Sequence, residues 1–118
     1  VFDAAQATAM KRAGADIVVA HMGVTTGGTI GAETAMDLDT AARTVSEIAR
    51  AALDERSDVI VLCHGGPIAN PEDAEFILRT CPGCHGFYGA SSMERLPTET
   101  AMLEQARRFK SIQFAHST

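Results

Sequence analysis

A chain of 118 residues, 46% of them hydrophobic, can bury one compact core and no more. Its net charge of −5, with Lys and Arg scattered instead of striped, argues against a nucleic-acid partner, because phosphate backbones are bound by clustered positive charge. No apolar run reaches the roughly 20 residues of a membrane span and no basic-then-apolar leader is visible, while three cysteines, an odd number, suit a reducing compartment; the expectation is a cytoplasmic protein without a membrane partner.

The chain starts with Val1-Phe2 and enters a helical pattern without an evident cap, so it reads as a piece of something longer. Asp3 to Ala13 is alanine-rich, with Ala5, Ala9 and Met10 expected on the packed side and Gly14 as the stop. Ala15 to His21 predicts a strand whose β-branched centre, Ile17-Val18-Val19, is typical of a parallel strand covered on both faces. Met22 to Met36, with Gly23, Gly27, Gly28 and Gly31 among threonines, predicts a long loop. Asp37 or Asp39 can cap the next helix, in which Leu38, Ala41, Ala42, Val45, Ile48, Ala49 and Ala52 recur at helical spacing as far as Leu53.

Asp58 to Cys63 is a second continuous apolar strand, and it runs into a glycine corner, His64-Gly65-Gly66-Pro67. Asn70 with Pro71 behind it starts a third helix to Thr80, with Ala74, Ile77 and Leu78 facing inward. Cys81-Pro82-Gly83-Cys84 breaks it before a third strand, Gly86 to Tyr88. Gly89-Ala90 then turns the chain into a short helix, with Ser91 as N-cap and Glu94 three residues on, the spacing of a capping box. A last helix runs from about Pro97 to Lys110, and the tail either begins another strand at Ile112 to Phe114 or frays.

This alternation implies parallel strands joined by right-handed crossovers, an α/β fold. Two consecutive strand-to-helix corners built of small residues are what a phosphate site needs, since free amides at a helix start attract anions. Gly65, Gly66, Ala90, Ser91 and Ser92 are therefore the candidate phosphate-binding residues, the bland alternative being tight turns alone. His21 and His64 end neighbouring strands, where they either handle a proton near neutral pH or pin loops through backbone carbonyls. Thr25, Thr26, Gly27, Gly28 and Gly31 form either a closing lid that contacts substrate or a plain connector. Glu94 is a candidate acid, or a carboxylate directed at a metal, competing with its capping job; Glu33 and Asp73 are weaker candidates, and Arg95 either meets an anion or is a solvated helix residue. Cys81-Pro82-Gly83-Cys84-His85 has the spacing of a covalent haem site, but too few local ligands for a structural zinc; Cys63 reads as a buried apolar residue.

Three motifs, Ala20-His21-Met22-Gly23-Val24-Thr25-Thr26-Gly27-Gly28, Leu62-Cys63-His64-Gly65-Gly66-Pro67-Ile68 and Gly86-Phe87-Tyr88-Gly89-Ala90-Ser91-Ser92-Met93-Glu94-Arg95-Leu96-Pro97, together resemble the phosphoenolpyruvate hydrolase-like TIM-barrel family, whose relatives include signalling and virus-resistance proteins. The resemblance covers nearly the whole chain and implies strands six to eight of a (βα)8 barrel, the first five being absent. It also implies hydrolase or lyase chemistry on a small phosphorylated or carboxylated metabolite, or else a sensor or protein-interaction module without turnover. No cofactor is demanded, and assistance by Mg²⁺ is left open. Residues 1 to 118 are thus expected to be one partial barrel domain. Its open sheet edges make instability, aggregation or pairing with another copy, a homo-oligomer, the expected behaviour.

Overall fold

The computed structural model describes residues 1–28 and 36–115 of the chain. In order, the elements are α1 (Ala4–Arg12), β1 (Ile17–His21), α2 (Leu38–Glu55), β2 (Ile60–His64), α3 (Pro71–Thr80), β3 (Gly86–Phe87), α4 (Ser91–Glu94) and α5 (Leu96–Lys110). The three strands form one parallel sheet in the order β1-β2-β3, as consecutive βα units of a barrel would. The Ile112 to Phe114 stretch forms no strand.

Each helix boundary has a local cause. Asp3 caps α1 by accepting from the Gln6 amide, so this helix does have the cap that the sequence reading did not find. Asp37, not Asp39, caps α2 through the Thr40 amide. Asn70 accepts from the Asp73 amide while the Asp73 carboxylate accepts from the N–H of Ala69, one residue before the cap, a variant of the capping box at the start of α3. The box expected at α4 does not form: Ala90 is the N-cap, no side chain caps the helix, and Ser91 is already its first residue. Residue 90 has φ −126° and ψ −95°, away from the extended conformation from which a serine at the cap reaches back to an amide.

The core is the layer between sheet and helices. Ala41, Ala42, Val45, Ile48, Ala49 and Ala52 of α2 bury against Val18 and Ala20 of β1 and Val61 and Cys63 of β2. The strands alternate in burial, so they are covered on one face only, contrary to the expectation from their continuous apolar runs. Ile17 and Ile60, 53% and 45% exposed, lie on the open face. In α1 the packed residues are Ala7 and Lys11, whereas Ala5, Ala9 and Met10 are exposed. Buried Lys11 donates from Nζ to the Ala15 carbonyl, which joins the end of α1 to the approach to β1. Leu78 of α3 is likewise exposed, not inward. Helix α5 buries nothing along its 15 residues and projects from this body, and the molecule measures 75 × 24 × 23 Å.

Candidate functional site

Parallel pairing in register makes His21 and His64 direct partners across β1 and β2. Their position parity, shared with Ile17 and Ile60, places both imidazoles on the open face at the C-terminal ends of the strands. The rings meet edge to face, with centroids 4.8 Å apart, and the row continues through Tyr88 at 4.5 Å from His64 and Phe2 at 5.2 Å from His21. Tyr88 stands at the end of β3 and is half exposed. Nothing in the sequence reading marked it as a site residue, although the strand-end rule that picked the two histidines applies to it equally.

The hydrogen bonds assign the two imidazoles opposite tautomers. His21 Nδ1 accepts from the Gly23 amide at 3.1 Å, so the neutral ring carries its proton on Nε2. His64 Nδ1 lies 2.7 Å from the Tyr88 carbonyl, which can only accept, so Nδ1 holds a proton and, in the neutral ring, Nε2 carries the lone pair. Burial holds the His21 pKa below the ordinary histidine value, with help from the neighbouring His64. One ring therefore presents an N–H and the other a lone pair, side by side.

The corners that follow are stitched together by main-chain bonds. Met22 N–H donates to the His64 carbonyl, Gly66 N–H to the Gly23 carbonyl and Thr26 N–H to the Gly66 carbonyl. Gly65 and Gly66 have φ of +78° and +58°, and a Cβ would lie 2.2 Å from the Gly23 or Met22 carbonyl oxygen respectively. These glycines permit the close approach of two chain segments, and the Gly66 amide is engaged within the protein. Thr25 is buried beside this clasp.

Farther along the loop, Arg95 donates to the Gly27 carbonyl at 3.3 Å and pairs with Glu99 at 3.2 Å, so it is an anchor and not a solvated helix residue. Gly28 packs where a Cβ would collide with Arg95, Glu99 and Leu96. A cavity of about 520 Å³ results, with Thr26 and Gly27 on one wall, Asn70 on another and Ser92 and Leu96 on a third. Asn70, downstream of the Gly65-Gly66 corner, and Ser92, downstream of Gly89-Ala90, both line this cavity, while Gly65, Gly66, Ala90 and Ser91 are not among its lining residues. Ala90 and Ser91 stand at the start of the same short helix. Glu94 is exposed, and no side-chain hydrogen bond caps its helix. Gly31 and Glu33 lie outside the described residues.

Cys63, Cys81 and Cys84 are free thiols buried in the core, and His85 Nδ1 accepts from the Val61 amide. Among the described residues no three His, Cys, Asp or Glu side chains group to hold a metal, and no helix is long and apolar enough to cross a membrane.

The family described as phosphoenolpyruvate hydrolase-like matches residues 1–112. Two curated tomato proteins (Solanum lycopersicum) are similar: "ToMV susceptible protein tm-1(GCR26)" and "ToMV resistance protein Tm-1(GCR237)", each 55% identical over 107 residues, or 91% of this chain. The chain spans 14% of the length of either relative.

Proposed function

The chain belongs to the phosphoenolpyruvate hydrolase-like family, and from that premise we propose that it supplies three consecutive βα units and the proton-handling residues of a barrel enzyme acting on a small phosphorylated, carboxylated metabolite. The observation that carries this reading is the opposed tautomers of His21 and His64 at the strand ends. In this reading His64 Nε2 accepts the proton of a water molecule that attacks phosphorus. The enol-ester P–O bond then breaks, and the proton returns to the departing enolate. The His21 Nε2–H hydrogen-bonds the oxygen on which charge grows, a role that a neutral imidazole performs without ionising. The reaction class is hydrolysis or elimination at a phosphoenolpyruvate-like compound. The phosphoryl group is assigned to the cavity between Thr26, Gly27 and Ser92, to which Thr25, Gly28, Ala90 and Ser91 are neighbours in the chain, with Gly65 and Gly66 holding the loops after β1 and β2 together.

The test uses the full-length protein with phosphoenolpyruvate, with and without Mg²⁺, and follows release of pyruvate and phosphate. Turnover that falls about 10²–10⁴-fold in His64→Ala supports the reading. Absence of turnover in the wild type, or full activity in the variant, overturns it. Ser92→Ala tests ligand binding better than a change at Gly66, whose substitution disturbs the clasp itself.

A second reading is supported by the relatives' names, which speak of virus resistance and susceptibility: a barrel that keeps the ligand site as a sensor or offers its surface to a protein partner. Saturable binding of phosphoenolpyruvate without product would favour it. The resistance and susceptible proteins match this chain equally, so the matched stretch by itself gives no reason to prefer interaction over catalysis.

A further inference from the structure

Beside the cavity assigned to the ligand lies a groove of about 470 Å³ with a largely apolar lining: Ala74 and Leu78 of α3 form one side, Phe87 of β3 and Met93 of α4 the other. Leu78 and Met93 are exposed there. Asn70, Pro71 and Ser92 line both hollows, so whatever fills this groove also backs a wall of the ligand cavity.

Helix α5 carries an apolar stripe and has no seat for it. Met102, Ala106 and Phe109 recur on one side of the helix, with Leu103 at the edge, and all four are exposed. The chain's own groove has no α5 residue in its lining. Arg95, which stands between α4 and α5, bonds to the Gly27 carbonyl and to Glu99, and Leu96 packs beside Gly28, so the start of α5 is fastened to the loop after β1.

We propose that the groove receives α5 of a second copy of this chain, whose own groove receives α5 of the first, a two-fold exchange. Two features give the direction of the seated helix. Along α3, Pro71, Ala74 and Leu78 are spaced by three and then four residues, and α5 has the same spacing when read backwards, from Phe109 to Ala106 to Met102. Each stripe extends about 10 Å at the helical rise of 1.5 Å per residue, so the two match in length. Charge runs the same way: α3 has Glu72 and Asp73 in its first turn and Arg79 in its last, while α5 has Glu99 in its first turn and Arg107, Arg108 and Lys110 in its last. Antiparallel docking brings the basic end of α5 to the acidic start of α3. Parallel docking, the arrangement of successive outer helices within one barrel, would bring like charges together. The seated helix also closes the groove behind Asn70 and Ser92, so each copy completes the outer wall of the other's cavity.

The test mixes two full-length preparations, one carrying Leu78→Cys and the other Met102→Cys, each with its own affinity tag, under mild oxidation, and maps the covalent product by mass spectrometry; no turnover is read. The expected product carries both tags and a disulfide between position 78 of one copy and position 102 of the other. The wild type should be dimeric by light scattering, and Phe109→Asp should raise the dimer dissociation constant about tenfold or more while leaving the circular dichroism unchanged. Met102→Ala should weaken the dimer in the same direction, by less. A monomeric wild type, a dimer that Phe109→Asp leaves as tight as before, or a dimer that gives no two-tag link overturns the proposal, and the groove then belongs to another part of the same chain or to an unrelated protein. Linkage of Leu78→Cys to Phe109→Cys in preference to Met102→Cys overturns the antiparallel seat.

Discussion

Helix α2 places Ala41, Ala42, Val45, Ile48, Ala49 and Ala52 against the sheet, and all are buried. Helix α5 carries Met102, Leu103 and Phe109 at comparable helical spacing, yet Met102 is 69% exposed and Phe109 64%. The apolar stripe of α2 is much the sharper of the two, and the helices differ as well in what stands opposite. Helix α2 lies over two paired strands and between α1 and α3, whereas α5 touches the body mainly where Arg95 and Leu96 reach the loop after β1. An apolar stripe thus reports that a helix is built to be covered; which surface covers it is decided by elements far away in sequence.

The sharpest way to break this contrast is a pair of truncations in the full-length protein, read by urea unfolding. Ile48→Ala should cost about 2–5 kcal/mol through lost burial and the cavity left behind. If α5 is as unpacked there as in this chain, Met102→Ala should cost under about 0.5 kcal/mol. Equal losses would mean that α5 finds a buried seat in the whole protein.

Gly66→Ala examines the clasp that joins the packed unit to its loop. The new Cβ would meet the Met22 carbonyl oxygen at 2.2 Å on a backbone with φ +58°. About 1–3 kcal/mol should be lost, seen as a lower melting temperature. An unchanged melt would show that the 22–28 loop is not held by this corner.

The mildest effect concerns pH. The folded-state pKa of His21 lies below its unfolded value, so its neutral form favours folding above about pH 6.5, and that contribution fades as pH falls through the lowered folded value. Protonation of Nδ1 also removes the acceptor of the Gly23 amide. The Gly23 amide resonance should therefore shift, and its hydrogen exchange accelerate, only below the usual histidine range. Change centred above that range would refute the tautomer assigned to His21.

The packed unit was largely legible in the residues themselves, because α2 follows a simple helical period, the first two strands are unbroken apolar runs and Asp37 and Asn70 are strong caps, although the one-sided burial of the strands was not. The two histidines were legible through their place at strand ends. Their opposite tautomers were not, since these depend on where the Gly23 amide and the Tyr88 carbonyl come to rest. The capping box was assigned to the wrong helix for a similar reason: Ser91-to-Glu94 and Asn70-to-Asp73 share one spacing, and only the backbone entering each helix distinguishes them. Buried Lys11 ran against composition, because its stem is covered by packing between α1 and the body while its ammonium finds a carbonyl.

The pairing of His21 with His64 has a consequence for how such a chain can tolerate change. Neighbours along a strand face opposite ways, so Cys63 and His64 occupy opposite sides of the sheet. A one-residue insertion or deletion within β2 that kept the rest of the ladder in place would exchange them, sending an imidazole among aliphatic groups and a sulfur to the mouth. Two-residue changes would preserve the facing but shift the histidine along its strand by nearly 7 Å, about twice the rise of one residue. Length variation is therefore expected to collect in the connections between strands, while the count of positions from Ile60 to His64 stays fixed.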